Sequence, residues 1–185
     1  MTTVEKPSSL KQESIKIPGG IYKMGYSGND FCYDIELPEH KVYLNDFQIE
    51  NFPVTNAQYL EFIEVGGYDD FSFWLSDGWD VAKKNEWKAP MYWEKEDGEW
   101  FTRDFVGKRK INPNEPVCHV SFYEAMAFCK WAGKRLPTEA EWEKAALWND
   151  KENSKTNFPW GNEPPTQDYA NLLDSHVWSC TNVGS

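Results

Sequence analysis

The chain has 185 residues, with 19 Lys and Arg against 30 Asp and Glu, for a formal net charge of −11. That length fits one domain with a core of its own. A 16% share of aromatic residues, 10 of them Trp, excludes disorder over most of the chain, and the acid excess speaks against nucleic acid, whose phosphates need Lys/Arg clusters.

Residues 1–14, with Pro7-Ser8-Ser9 and scattered charges, read as a polar linker or arm without the apolar stretch of a signal peptide. Ordered sequence is expected from Ile15 onward as a single domain over 15–185. Ile15–Met24 alternates around Pro18-Gly19-Gly20, a strand–turn–strand signal. After a loop over 26–40, Lys41–Leu44 and Phe47–Ile49 are short strand candidates. Pro53-Val54-Thr55-Asn56 introduces a helix capped by Thr55, with Ala57, Leu60 and Ile63 at helical spacing and Gly66-Gly67 as its stop.

The stretch from Tyr68 to Asn114 is rich in Trp and Gly and poor in regular periods. A short helix is expected near Asp77–Lys84, and a hairpin of Met91–Trp93 with Trp100–Arg103 around Asp97-Gly98. The basic run Lys108-Arg109-Lys110 reads as a solvated loop. Two capping boxes follow. Ser121–Glu124 opens a helix running to Gly133 with Ala125, Phe128, Cys129 and Ala132 on one side, and Thr138–Glu141 opens one to about Trp148 with Trp142, Ala145 and Ala146 inward. Beyond a polar loop at Lys151–Thr156 comes the turn-rich, aromatic Phe158–Gly161. These elements predict an α+β fold with little regular structure. No apolar run approaches the roughly 20 residues of a membrane span, so a soluble, cytoplasmic protein is expected.

The chemistry-bearing residues are dispersed. His40, His119 and His176 form no HxH or HxxxH pair, which speaks against a metal site made by this chain alone. His119 lies in the apolar run Val117–Val120 and reads as a structural histidine bonded to backbone. Cys118 is its neighbour, but adjacent residues on a strand point to opposite faces. Cys129 reads as a core thiol, and Cys32 and Cys180 have no base nearby in sequence. Without a CxxC pair, buried or idle thiols are expected. Phe71, Phe73, Trp74 and Trp79 could line a pocket or cover the long loop, and covering is the simpler role.

Five motifs in order carry a resemblance. They are Ile17–Gly25, Pro53–Asn56, Pro116–Ala125 continued by Trp131–Glu143, Phe158–Gly161, and Tyr169-Ala170-Asn171-Leu172. This set resembles the formylglycine-generating-enzyme (sulfatase-modifying factor) type of domain, which implies a C-type-lectin-like α+β fold. Within that family, Phe31–His40, Gly66–Trp79, Trp87–Trp93 and Glu115–His119 are similar to the second domain of the sulfoxide synthases of ergothioneine biosynthesis. In those enzymes non-haem iron joins a thiol to the imidazole of trimethylated histidine with O₂. The resemblance implies that iron(II) is held by a separate helical domain, a partner in cis or in trans, while a domain like this one supplies the other wall of the active site.

Both ends depart from the family pattern. The family's helical domain before the motifs, and its aromatic Gly-x-x-Trp-Glu-Trp segment after them, have no counterpart among these 185 residues. The family's catalytic tyrosine, substrate-binding acid and arginine, and paired cysteines all belong to that later region. The resemblance therefore assigns no catalytic and no cofactor-binding residue here. It offers Asn171 and Leu172 as calcium ligands, against the simpler reading of a buried Asn171 satisfying local backbone. It also implies a lectin-like fold that is incomplete, inactive alone and prone to self-association through an open edge. A free-standing lectin-like binding module and a formylglycine-generating oxidase are the alternative functions.

Overall fold

Both predicted capping boxes start helices, and Thr55 starts a third. In the computed structural model, which describes residues 11–29 and 31–185, Thr55 caps α1 (Asn56–Glu64), Ser121 caps α3 (Phe122–Trp131) and Thr138 caps α4 (Glu139–Leu147). In each, the hydroxyl accepts the N3 amide while the N3 side chain, Gln58, Glu124 or Glu141, accepts the cap residue's own amide. Between the first and second of these helices lies α2 (Ser76–Lys84). The proposed arm falls largely on residues 1–10, outside the described residues.

The described residues divide into two compact units. One, here the aromatic unit, comprises residues 11–12, 52–136 and 171–185; the other, the ladder unit, comprises 13–51 and 137–170. Seven tryptophans (74, 79, 87, 93, 100, 131 and 178) belong to the first and three (142, 148 and 160) to the second.

In the aromatic unit, α1, α2 and α3 surround a core of Tyr59, Phe62, Tyr68, Trp74, Trp93, Ile111 and Phe128. Phe62 is fully buried and meets the rings of Tyr59, Tyr68, Phe73, Phe128 and Trp131. The inward face of α1 is thus Asn56, Tyr59 and Phe62, one position away from the predicted Ala57, Leu60 and Ile63, which are only half-buried. Rings decide this, because Tyr and Phe remove more apolar area than the aliphatic residues beside them. Trp74 joins the core and Phe73 and Trp79 pack on it, the covering role, while Phe71 is exposed. In α2, Gly78 sits where a Cβ would come within 2.4 Å of Tyr123, so only glycine lets this helix lie against that ring.

The hairpin expected at Asp97-Gly98 is present, with a different frame. Strands β5 (Glu94–Glu96) and β6 (Glu99–Asp104) pair antiparallel, and both turn residues have positive φ, as a two-residue turn of the primed type requires. Met91–Trp93 forms a turn instead, with the Trp93 amide bonded to the Pro90 carbonyl. Residues 108–110, expected as a solvated loop, lie in a third strand, β7 (Gly107–Lys110), paired with β6. Partners neutralise the run: Lys108 meets Glu94 and Glu96, Lys110 meets Glu99, and Arg109 meets Asp104 and Glu115.

The ladder unit holds two antiparallel pairs, β1 (Ser14–Ile17) with β4 (Phe47–Glu50) and β2 (Gly20–Met24) with β3 (His40–Leu44). The strands flanking Pro18-Gly19 therefore pair elsewhere and not with each other. A short pair, β8 (Trp148–Asn149) with β9 (Ser154–Lys155), replaces part of the expected polar loop. Polar side chains reach backbone throughout: Tyr22 Oη donates to the Ala140 carbonyl at 2.6 Å, Lys144 Nζ donates to the Pro18 carbonyl, and the Gly25 amide donates to Glu143 Oε1 at 3.0 Å. The buried residues of α4 are Glu141 and Lys144. Trp142, expected inward, is 59% exposed, because the polar anchors and not the ring set the face. Among the described residues no helix is long and apolar enough to cross a membrane.

Candidate functional site

The aromatic unit contains a cavity of about 520 Å³ with three walls. One is the β6–β7 hairpin, contributing Thr102, Asp104, Phe105 and Arg109; the second is the segment Glu115–His119 without Val117; the third comes from residues 171–180, with Leu173 and Trp178 among its side chains. Trp93 and Asn56 complete the lining. Size and composition suit a small organic molecule: apolar surfaces with a few placed polar groups.

Arg109 is the electrostatic centre. Its Nη1 and Nη2 donate to the two Glu115 oxygens at 3.1 and 2.7 Å, and its Nε donates to Asp104 Oδ2 at 2.7 Å. Glu115 is only 7% exposed and also accepts from Asn112 Nδ2. Such a two-pronged pair fixes both side chains as planar units. Burial pushes the Asp104 carboxyl upward, but the hydrogen bond and charge of Arg109 and the Val106 and Gly107 amides outweigh it and hold the group below its usual range. Burial likewise opposes the charge on Arg109, and the two carboxylates overcome that and raise it. The cluster is thus spent on itself, and it stiffens the wall.

One residue of the lining, His119, has positive φ, at 61°, and so do Tyr92 at 70° and His176 at 55°, each next in sequence to a lining residue. Such conformations cost of order 1–3 kcal/mol each and persist where surroundings over-determine them, often at functional sites. The Tyr92 ring stands edge-on to the His119 imidazole at 4.9 Å. Residues 117–120 are not a strand, so alternation does not send Cys118 and His119 to opposite faces. Cys118 and His119 both face the cavity, and His119 is exposed. His176 packs on Trp178 of the third wall, with ring centroids 6.1 Å apart.

The structure also joins what the sequence left apart. Cys118 Sγ and Cys180 Sγ are 3.3 Å from each other on the cavity lining. Burial, then Cys180, then Glu115, push the Cys118 thiol up to about 12. Cys129 is buried on α3, as expected. Nothing local in the sequence signals the sulfur pair, since its members are 62 residues apart.

Asn171 and Leu172 both line the cavity. Asn171 is exposed, contrary to the buried position expected, and its Nδ2 donates to the Ser179 carbonyl at 2.9 Å. Two oxygens from this pair are a minority of the six to eight that calcium takes. His40 belongs to the ladder unit and His119 and His176 to the aromatic unit. Among the described residues no group of three or more His, Cys, Asp or Glu is placed to hold a metal ion. The described residues do not fit an iron site.

The family described as sulfatase-modifying factor enzyme 1-like domain matches residues 2–183. The hercynine oxygenase of Mycolicibacterium smegmatis is 41% identical over 162 residues, covering 86% of this chain and 37% of that protein. The hercynine oxygenase of Mycobacterium tuberculosis is 44% identical over 139 residues, with 75% and 32% covered. The formylglycine-generating enzyme of Thermomonospora curvata is 34% identical over 169 residues, with 85% and 55% covered. The chain thus spans about a third of the length of these hercynine oxygenases.

Proposed function

The chain belongs to the sulfatase-modifying factor enzyme 1-like family, and on that footing we propose that it is the lectin-like portion of a sulfoxide synthase acting on hercynine, the trimethylated histidine. The observation that carries this reading is the 41–44% identity to hercynine oxygenases, against 34% to the formylglycine-generating enzyme. The runs Phe31–His40, Gly66–Trp79 and Trp87–Trp93, which resemble the sulfoxide-synthase branch, support it.

In this reading the cavity is the wall that the chain contributes to the active site. Trp93, Trp178 and Phe105 supply apolar surface to it, and the Arg109–Glu115–Asp104 cluster holds the hairpin and the Glu115–His119 segment in fixed register. The net reaction joins an imidazole carbon to a thiol sulfur as a sulfoxide, with O₂ giving one oxygen to sulfur and one to water. Iron supplies the O₂ chemistry from a helical partner portion, and no residue of this chain is assigned to holding it. Calcium enters only as a further proposal, with Asn171 Oδ1 and the Leu172 carbonyl as two of its ligands and the rest from outside this pair. A C-type-lectin-like architecture and a cytoplasmic setting go with the reading.

The test is reconstitution. The chain is coexpressed with a helical iron-binding partner and the continuation of the lectin-like domain, then supplied with hercynine, a thiol and O₂. Sulfoxide product that requires all parts and iron is expected. A soluble, assembled and iron-loaded complex that yields none overturns the proposal, and conversion of a sulfatase-peptide cysteine by that complex would favour the formylglycine-generating alternative instead.

A further inference from the structure

The two sulfurs on the cavity are held close by backbone that is anchored independently of them. On one side, the Val117 amide bonds to the Val54 carbonyl at 2.9 Å and Pro116 bridges to Thr55, which fixes the segment carrying Cys118. On the other, the Val183 amide bonds to the Asn114 carbonyl at 2.9 Å, Asn112 Nδ2 donates to Asn182 Oδ1 at 2.8 Å, and the Ser179 carbonyl is held by Asn171. These ties fix the segment carrying Cys180. The sulfurs meet at 3.3 Å, and each is half-buried, so neither is sealed from solvent. A disulfide bond of about 2.05 Å needs them to close by only about 1.3 Å, within reach of side-chain rotation.

The geometry points to Cys118 and Cys180 as a reversible disulfide-forming pair that, when oxidised, locks the 171–185 wall of the cavity onto the Glu115–His119 wall. This inference is independent of the substrate proposed above, since it concerns the cavity's shape and not its chemistry. The oxidant is a low-molecular-weight disulfide. One cysteine sulfur attacks it and expels one small thiol; the second cysteine sulfur then displaces the other half from the mixed disulfide. One S–S bond forms in the protein, one breaks in the oxidant, and two electrons pass to it. The two protons lost by the cysteines leave on the two small thiols released. A partner sulfur already in contact makes the second step intramolecular, so the mixed disulfide is short-lived. Thiols in excess run the exchange backward, as suits a switch in place of a permanent staple.

The experiment uses the full chain, oxidised glutathione as the probe, and mass mapping after alkylation of free thiols. The expected result is a loss of about 2 Da, a single Cys118–Cys180 cross-link, alkylated Cys32 and Cys129, and full reversal by dithiothreitol. Closing a loop of this length should also raise Tm by about 5–10 °C. Stable glutathione adducts on both cysteines, cross-links shared with Cys32 or Cys129, or two thiols that stay free under oxidant would each overturn the pairing. An unchanged Tm in fully cross-linked protein would overturn the lock. In Cys180→Ser, oxidant should leave Cys118 as a glutathione adduct or a free thiol. A cross-link from Cys118 to another cysteine in that variant would count against a specific pair, and the wild-type map stands by itself if the variant does not fold.

Discussion

The aromatic unit and the ladder unit solve the same problem with different physics. In the first, rings pack on rings: Phe62 alone touches five others, and the polar edges of Tyr59 and Tyr68 are satisfied through Glu124, which accepts from Tyr68 Oη at 2.5 Å. In the second, Tyr22 of β2 reaches the backbone of α4, Glu143 and Lys144 of α4 reach the backbone at Gly25 and Pro18 on either side of β2, and the buried hydrophobics are Tyr22 and Phe47. Apolar burial has no direction, so it can support irregular backbone such as the left-handed residues around the cavity. Hydrogen bonds are directional, and they suit short strands whose register must be exact to a residue. The cavity belongs to the unit that can tolerate irregularity.

Substitutions that act on one kind of support and not the other sharpen this contrast. The largest effect is expected for Phe62→Ala, which removes a fully buried ring and should cost about 4 kcal/mol. Hydrogen exchange read over α1 and α3 should accelerate most, and equal acceleration over β2 and β3 would break the distinction between the units. Arg109→Ala leaves buried Glu115 without its charge partner and should cost about 3 kcal/mol by denaturant titration. A loss below 1 kcal/mol would show that Asn112 suffices to hold Glu115.

The same cluster sets an acid limit. Because the folded-state value of Asp104 lies below its ordinary 3.8, its stabilisation is complete above about pH 4 and is lost as pH falls through the depressed value. Asp104→Asn should therefore flatten the stability profile below pH 4; an unchanged acid limb would sink the assignment. In the ladder unit, Tyr22→Phe removes one directional bond to the Ala140 carbonyl and should cost about 1 kcal/mol, read by thermal melting. The smallest effect is expected for Trp142→Ala, within about 0.5 kcal/mol by the same melt, because that ring faces outward. A larger loss would mean that the outer face of α4 also supports the ladder unit.

What could be read from the sequence follows from the range of each interaction. Capping boxes act over three residues, and Thr55, Ser121 and Thr138 announce their helices outright. The Asp97-Gly98 turn is equally local, since its positive φ values demand such residues. The inward faces of α1 and α4 were not legible, because a nine-residue helix offers two plausible stripes and tertiary partners choose between them. Strand β7 was hidden by its own charges, whose neutralising carboxylates come from neighbouring strands and from Glu115. Of the candidate site, the motif around Glu115–His119 was visible as a resemblance. The sulfur pair was not, since only the folded path of residues 171–185 brings Cys180 to Cys118.

The unequal division of the tryptophans has an optical consequence. Seven of the ten indoles belong to the aromatic unit, and Trp74 and Trp93 are buried there beside tyrosine rings that can pass excitation to them. Intrinsic emission from this chain is therefore weighted toward the unit that carries the cavity. The exposed Trp142 of the other unit contributes a red-shifted, readily quenched fraction. A quencher such as iodide should remove the light of Trp142 and of Trp178, which is also half-exposed, and leave that of the buried Trp74 and Trp93, giving a label-free view of the aromatic core during unfolding.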